Sequence, residues 1–394
     1  RKLFISTAIE KQIPLHDMLP EELTEQMQEP VEVVLPESMD IGGEMAPAFE
    51  LGADGQMIPL FDEEEVMVPE HQVNLAEVLD SSSLNTLANE LLDAYEQDKE
   101  SRRDWLDVFT KGLDLLGIKI EEREQPFPGA TGVNHPLLAE AVTQFQAQAY
   151  KELLPAGGPV KTRVMGNESP EVMAQSQRVK EFMNYQITDV MKEYDPEMDS
   201  LLFYLPLAGS AFKKVYYDNL LGRATSRLVK AEDLVVAYET TDLETSPRFT
   251  HVMSMTGNDL KKLQLAGSYR QTEIGETADL DYNEAKEKID ELQGIAKPIT
   301  DYDEYTVLEL HVDLELEDDD NYGFAVPYVV TILEDKSEIL SIRRNWNEND
   351  DLFRKKEYFV HYKFLPGLGF YGFGLIHMIG GLTKSATSVL RQLI

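Results

Sequence analysis

Hydrophobic and polar residues alternate strictly over nine positions, 308–316, within the segment YTVLELHVDLELEDDD, residues 305–320. Leucine or valine occupies each even position from Leu308 to Leu316, and an acidic residue or histidine occupies each position between them. A repeat of two residues is typical of a β-strand that buries one face. We therefore predict a strand whose polar side faces solvent: Glu309, His311, Asp313 and Glu315.

A different repeat precedes this strand. The segments SSSLNTLANELLDAYEQ, RDWLDVFTKGLDLLG and PLLAEAVTQFQAQAYKELL place apolar residues at intervals of three and four, which predicts helices over 81–97, 103–117 and 136–154. Ser169 and Pro170 are suited to the cap and first residue of another helix over 170–194, followed by one over 196–208. The helical spacing places most methionines of this region in a core: Met165, Met173, Met183, Met191 and Met198.

Several further segments favour antiparallel strands. We predict a β-hairpin around NLLGR between Ala211 and Tyr238, a second in PYVVTILEDKSEILSIRRNW, and a strand in KKEYFVHYKFLP. Two polar helices are predicted between Asn258 and Lys297. The expected class is therefore α+β, with helices packed on a mainly antiparallel sheet.

The first eighty residues differ from the rest in composition. Residues 1–80 hold three cations, Arg1, Lys2 and Lys11, against nineteen carboxylates, and are rich in Pro and Met. Such a segment buries too little apolar surface to fold alone. We predict an extended acidic arm, which either binds a neighbouring subunit or partner or wraps on its own body.

The charge balance limits the possible functions. The 394 residues hold 36 basic and 72 acidic side chains, a net charge of -36, which disfavours tight nucleic-acid binding because that binding depends on Lys and Arg. There is no cysteine, so a thiolate metal site is excluded.

No window of about twenty residues lacks a charge, so we expect no membrane span. The chain starts on Arg1 and stops within a helical pattern, so we expect it to be a piece of a longer polypeptide.

A glycine-rich stretch, KFLPGLGFYGFGLIHMIGG, covers residues 363–381. Its Gly367-x-Gly369-x-x-Gly372 spacing matches a dinucleotide fingerprint, and a nucleotide-binding enzyme that uses Gly367–Gly374 is the alternative function. Phe370 and Tyr371 would crowd a phosphate, and no acidic residue follows about twenty positions later. The acidic row of the 305–320 strand could bind a hard cation, but a solvated strand face explains it better. We expect no catalytic residue, no cofactor and no metal.

The last segment has two different sides when it is drawn as a helix. One side is predicted to carry an apolar seam: Leu375, Ile379, Leu382, Ala386, Val389, Leu390 and Leu393. The other carries His377, Lys384 and Arg391, each seven residues apart. Such a helix could cover a core, lie on a membrane, or pack against copies of itself. Six glycines are candidate joints that let it tilt: Gly367, Gly369, Gly372, Gly374, Gly380 and Gly381.

Three long segments resemble the portal proteins, or head-to-tail connectors, of short-tailed bacteriophages. They are YFVHYKFLPGLGFYGFGLIHMIGGLTKSATSVLRQLI, PFPGATGVNHPLLAEAVTQFQAQAYKELLPAGGPVKTRVMG and DPEMDSLLFYLPLAGSAFKKVYYD. With the strands between them, the resemblance runs from about residue 85 to the end of the chain. The first eighty residues resemble no family.

The resemblance implies a homo-oligomeric ring of about twelve subunits at one capsid vertex. Its channel passes double-stranded DNA without sequence specificity during packaging and ejection. The implied partners are the major capsid and scaffold proteins, the terminase large subunit and then a tail adaptor, with assembly in the host cytoplasm.

Residues 81–370 would be the wing and 371–394 the start of the first stem helix, with clip, remaining stem and crown beyond Ile394. The predicted channel or subunit contacts are the basic residues and the seam of the last helix. A monomeric scaffold with an acidic recruiting arm is a further alternative.

Overall fold

The structure is a computed structural model that describes residues 49–51, 57–59, 70–117, 133–166, 169–218, 221–275, 284–293, 304–316 and 323–393. The chain divides into two compact units, Arg1–Met67 and Val68–Ile394. In the first unit, strands β1 (Phe49–Leu51) and β2 (Met57–Pro59) form an antiparallel pair. Residues 70–80, which the sequence placed in the arm, lie in the second unit, where Asn74 donates to Leu340 O and accepts from Ile342 N.

The helices of the second unit follow the predicted order. They are α1 (Ser81–Ser101), α2 (Arg103–Leu113), α3 (Leu137–Leu153), α4 (Pro170–Tyr185), α5 (Tyr194–Ala208), α6 (Gly257–Leu265), α7 (Glu284–Gln293) and α8 (Leu375–Leu393). Ser169 caps α4 by accepting a hydrogen bond from Val172 N at 3.3 Å, as predicted. The predicted helix over 170–194 is too long, because α4 gives way to a π-helical turn at Gln186–Val190.

The strands of the second unit form two antiparallel sheets. One has the order β10-β3-β4 and the other β5-β6-β7-β8-β9. Their bounds are β3 (Ser210–Asp218), β4 (Arg223–Lys230), β5 (Leu234–Val236), β6 (Arg248–Thr256), β7 (Glu304–Leu314), β8 (Val326–Leu333), β9 (Glu338–Arg344) and β10 (Phe359–Lys363). Helices packed on antiparallel sheets confirm the α+β class.

Strand β7 is the predicted alternating strand, but it lies in the middle of its sheet. The prediction that Glu309 and His311 face solvent is wrong: His311 is 3% exposed, and Glu309 is largely buried. Phe359 of β10 covers this face, with its ring centroid 5.5 Å from that of His311. Asp313 and Glu315, beyond this cover, are exposed as predicted.

Two larger apolar cores flank these sheets. One joins α2, α3, α5 and the three-stranded sheet, with Phe109, Leu138, Leu201, Phe212 and Phe370 fully or almost fully buried. The other lies between α1 and the five-stranded sheet. The helices on the first core bring the start of α8 against the end of α5.

Side chains of α5 and of the residue before it occupy the outer edge of β4. Glu193 and Glu197 accept hydrogen bonds from the amides of Ser226 and Leu228, and Tyr204 Oη accepts one from Ala231 N. Amides on an edge strand need such partners, because they otherwise offer a template for another chain. This edge of the sheet is therefore closed by its own helix.

Candidate assembly surface on the last helix

The glycine-rich loop before α8 is anchored by two aromatic residues. Phe370 and Tyr371 are 0% and 1% exposed, and the Tyr371 ring stacks on Trp105 with 4.4 Å between centroids. Tyr371 Oη donates to Leu234 O at 2.9 Å and accepts from Val236 N and from the Arg102 guanidinium. These contacts fix the loop to the five-stranded sheet and to the junction of α1 and α2.

Arg102 holds this junction together from a fully buried position. It is 2% exposed, and its guanidinium donates to the carbonyl oxygens of Ala231, Glu232 and Leu234 at 2.6 to 3.0 Å. Hydrogen bonds from a charged donor are stronger than neutral ones. Arg102 therefore ties the α1–α2 junction to the turn between β4 and β5 and, through Tyr371, to the glycine-rich loop.

Most of the glycines in this loop lie where the chain crosses itself. A Cβ at Gly372 would lie 2.4 Å from Gly209 O, and one at Gly374 would lie 2.2 Å from Leu207 O. Gly367 and Gly369 have similarly close neighbours in Tyr371 O and the Tyr238 ring. These four positions require glycine for backbone packing. Whether any of them also acts as a joint stays a prediction.

The two helical glycines differ from each other. A Cβ at Gly380 would lie 3.1 Å from Leu115 Cδ1, whereas a Cβ at Gly381 would have no other atom within 4 Å. Gly380 therefore lets α8 approach its neighbours, and Gly381 lies on the open side. Of the six candidate joints, Gly381 has the least packing reason to be glycine.

The inner face of α8 is formed by Ile376, Gly380 and Thr383, which are buried. Ile376 Cγ2 lies 2.1 Å from the position that a Cβ at Gly112 of α2 would take, so the two helices meet where Gly112 has no side chain. Thr387 Oγ1 accepts a hydrogen bond from His135 N at 3.1 Å. The helix is thus docked along its length on α2 and on the segment before α3.

The three basic residues of α8 do not form one common surface. Arg391 turns toward the segment before α3, where it donates to Val133 O at 2.8 Å and to Asn134 Oδ1. His377 Nδ1 accepts from Gly374 N at 3.2 Å, and burial lowers the pKa of His377, so the ring is neutral near pH 7. Lys384 is exposed and has no ion pair with a carboxylate in the described part of the chain.

The predicted apolar seam of α8 is divided between the core and the outside. Leu375 and Ile379 pack partly on the core, whereas Leu382, Val389 and Leu393 are 63%, 55% and 79% exposed. Met378 is not part of the predicted seam, but it is 55% exposed and extends the same outward-facing row. The residues at positions i, i+4, i+11 and i+15 share one face of a helix. We call Met378, Leu382, Val389 and Leu393 the outer row of α8.

A buried charged cluster was missed by the sequence. Lys214 of β3 and Glu309 of β7 form an ion pair at 2.6 Å between the two sheets, and His311 Nε2 lies 3.1 Å from Glu309 Oε1. One signal was present: Lys213 and Lys214 are adjacent in a strand, so their side chains must point to opposite faces. Both are largely buried, and Lys213 Nζ lies 4.2 Å from the centroid of the Tyr194 ring.

No family model matches this chain, and no curated protein matches it. Across the described residues, no cluster of His, Asp or Glu side chains has the arrangement of a metal site. The helices described here are also too short or too polar to cross a membrane.

Proposed function

We propose that this chain is the wing and first stem segment of a phage portal subunit. The proposal rests on the resemblance of residues 85–394 to portal proteins. Among the structural features, the outer row of α8 supports it most: four large apolar side chains are exposed on one face of a helix that is otherwise docked. Exposed apolar rows of this kind mark surfaces that another protein covers.

A ring explains this division of α8. In a closed ring each subunit uses two different faces, one toward each neighbour. A helix that keeps one edge of its seam on its own core and leaves the other edge outside has a fixed position and still offers a contact surface. Lys384 is exposed on a different side of α8 from the outer row and would face either the channel or a carboxylate of the neighbour.

The acidic charge is consistent with a conduit for DNA. Each phosphate that a protein neutralises adds to affinity, so a channel wall rich in cations would retain the duplex rather than let it slide. The subunit would perform no catalysis, and ATP hydrolysis would belong to the terminase partner. Contacts with scaffold, capsid, terminase and tail adaptor are proposed from the resemblance, as is a location at the capsid vertex.

The mass and shape of the purified full-length protein test this proposal. We expect a closed ring of about twelve copies in native mass spectrometry and in end-on electron micrographs. Leu382→Asp with Val389→Asp should abolish the ring, because each aspartate would be buried without a partner. Leu265→Asp is the matched control, since Leu265 is 83% exposed on α6. A wild-type protein with the mass of a single chain would contradict the proposal.

A further inference from the structure

Helix α4 is the least buried long helix in the described part of the chain, since none of its residues is buried. Six of its apolar residues are between 38% and 62% exposed: Val172, Met173, Val179, Phe182, Met183 and Tyr185. Met165, just before it, is 92% exposed. The prediction that Met165, Met173 and Met183 lie in a core is therefore wrong, Met191 is half-buried, and Met198 is buried as predicted.

Polar contacts with the extended segment before it hold α4 in place. The Asn184 side chain accepts from Val160 N at 2.9 Å and donates to Val160 O at 3.2 Å. Ser176 Oγ donates to Thr162 Oγ1 at 2.9 Å. Helices of this length draw most of their stability from an apolar face packed on another element. The apolar face of α4 therefore needs a cover.

The surface around α4 is also locally basic in a strongly acidic chain. Residues 158–192 hold five cations against four carboxylates: Lys161, Arg163, Arg178, Lys180 and Lys192 against Glu168, Glu171, Glu181 and Asp189. None of the five cations has an ion pair with a carboxylate of the described residues. We call these cations, together with the exposed apolar residues of α4, the α4 patch. A complementary partner is acidic and carries apolar side chains.

One segment of this chain has that chemistry. Residues 12–48 contain nine carboxylates and no Lys or Arg, together with four methionines and several leucines and valines. When fully extended, this segment could span about 120 Å, which is far enough to reach a neighbouring subunit. Opposite charges on two surfaces speed their encounter and select the partner.

We propose that residues 12–48 of a second copy dock on the α4 patch. This inference rests on the proposed function for the presence of a neighbouring copy. Carboxylates of the segment pair with the free cations, and its methionines and leucines cover Val179, Phe182 and Met183, which share one face of α4. A nucleic acid fits this patch less well, because a phosphate backbone would leave the apolar side chains uncovered and would face Glu171, Glu181 and Asp189.

Photo-crosslinking between two distinguishable copies tests the inference. One copy carries p-benzoylphenylalanine in place of Phe182, and its own residues 12–48 are marked by Val34→Ile. It is coexpressed with an unmarked copy that lacks the photoreactive residue. After irradiation, we expect peptides of α4 joined to the unmarked segment of the other copy, as detected by mass spectrometry.

Charge reversal and salt separate this contact from chance proximity. Arg178→Glu with Lys180→Glu should lower the yield of this adduct several-fold, as should raising the salt from about 0.05 to 0.5 M. Lys261→Glu with Lys262→Glu on α6 is the matched control and should leave the yield unchanged. The photoreactive residue in place of Tyr217, which is 62% exposed on β3, should give no adduct with residues 12–48.

Two results would overturn the inference. One is a ring of the expected mass that gives no adduct with residues 12–48, or adducts with the marked segment alone. The other is an adduct whose yield does not respond to the charge reversal on α4. The mass of the same sample is read separately, so a single-chain mass would count against the proposed function, whereas a ring without the adduct counts against this inference alone.

Discussion

Lys214 Nζ donates hydrogen bonds to both carboxylate oxygens of Glu309, at 2.6 and 2.8 Å, and so joins β3 of one sheet to β7 of the other. Burial alone would raise the pKa of Glu309. The charge of Lys214 and the hydrogen bond from His311 act in the opposite direction and outweigh it, so the pKa of Glu309 lies well below its ordinary value. The pair therefore stays charged between the sheets.

Removal of Lys214 should be costly. Lys214→Met leaves the Glu309 carboxylate buried without its cation, and we expect the free energy of unfolding to fall by about 3–5 kcal/mol. The double variant Lys214→Met, Glu309→Leu should recover most of this loss, because no buried charge remains. Denaturant unfolding measures both. Lys262→Met breaks an exposed pair with Asp259 and should cost at most about 1 kcal/mol. Equal losses in the single and double variants would contradict the explanation.

His251 should make stability depend on pH. Burial and the Lys214 charge lower its pKa from 6.5 to about 3, despite the opposing effect of Glu309. Below about pH 6.5 the unfolded chain binds a proton at His251 that the folded chain does not bind until about pH 3. Its contribution to stability is therefore complete above pH 6.5 and is lost as the pH falls toward 3, by up to about 1.4 kcal/mol per pH unit.

Substitution of His251 tests this dependence. We expect His251→Phe to show a shallower fall in the free energy of unfolding between pH 7 and 5 than the unsubstituted chain. His361, whose pKa burial also lowers to about 3, remains in the variant and contributes its own slope. Identical slopes in the two proteins would show that His251 is not the buried neutral group described here.

Two glycines of the last segment should respond to alanine in opposite directions. Gly372→Ala places a Cβ 2.4 Å from Gly209 O, so the backbone has to move and stability should fall. Gly381→Ala meets nothing within 4 Å inside a helix and should raise stability by about 0.5–1 kcal/mol. Thermal unfolding measures both. If Gly381 is a working joint, Gly381→Ala will also reduce ring formation while it stabilises the subunit, which separates flexibility from packing.

Substitutions of the two cations of α8 should have different effects. Arg391→Glu removes the hydrogen bonds to Val133 and Asn134 and should cost about 1–3 kcal/mol of stability. Lys384 lies on an exposed side of α8, so Lys384→Glu should change the free energy of unfolding by no more than about 0.5 kcal/mol. We expect it to weaken ring formation, as measured by native mass spectrometry. Normal assembly by the Lys384 variant would remove Lys384 from the proposed contact.

The sequence predicted the type of most elements, because their periodicity is local information. It found β7 from its repeat of two and α8 from its repeat of 3.6. It could not show that β7 is the middle strand, since this depends on β6 and β8 pairing with it and on Phe359 covering it. The resulting burial of Glu309 and His311 is a long-range effect.

The orientation of α8 shows a second limit. Its buried face centres on Ile376, Gly380 and Thr383, one step around the helix from the leucine-rich seam. Helices approach most closely where side chains are small, and Gly112 and Gly380 provide that approach. A hydrophobicity pattern gives such glycines little weight. Helix α4 shows the same limit from the other side, because the helical repeat of Met173 and Met183 is identical for a core and for an exposed surface.

The closure of the β4 edge by Glu193, Glu197 and Tyr204 has a mechanical consequence. Helix α5 cannot separate from the three-stranded sheet without stripping three amides of their partners, so helix and sheet form one stiff block. The end of α5 is clasped in turn by Gly372 and Gly374 at the start of α8. A displacement of α8 would therefore move α5 and the three-stranded sheet with it, instead of being taken up by bending of the loop before α8.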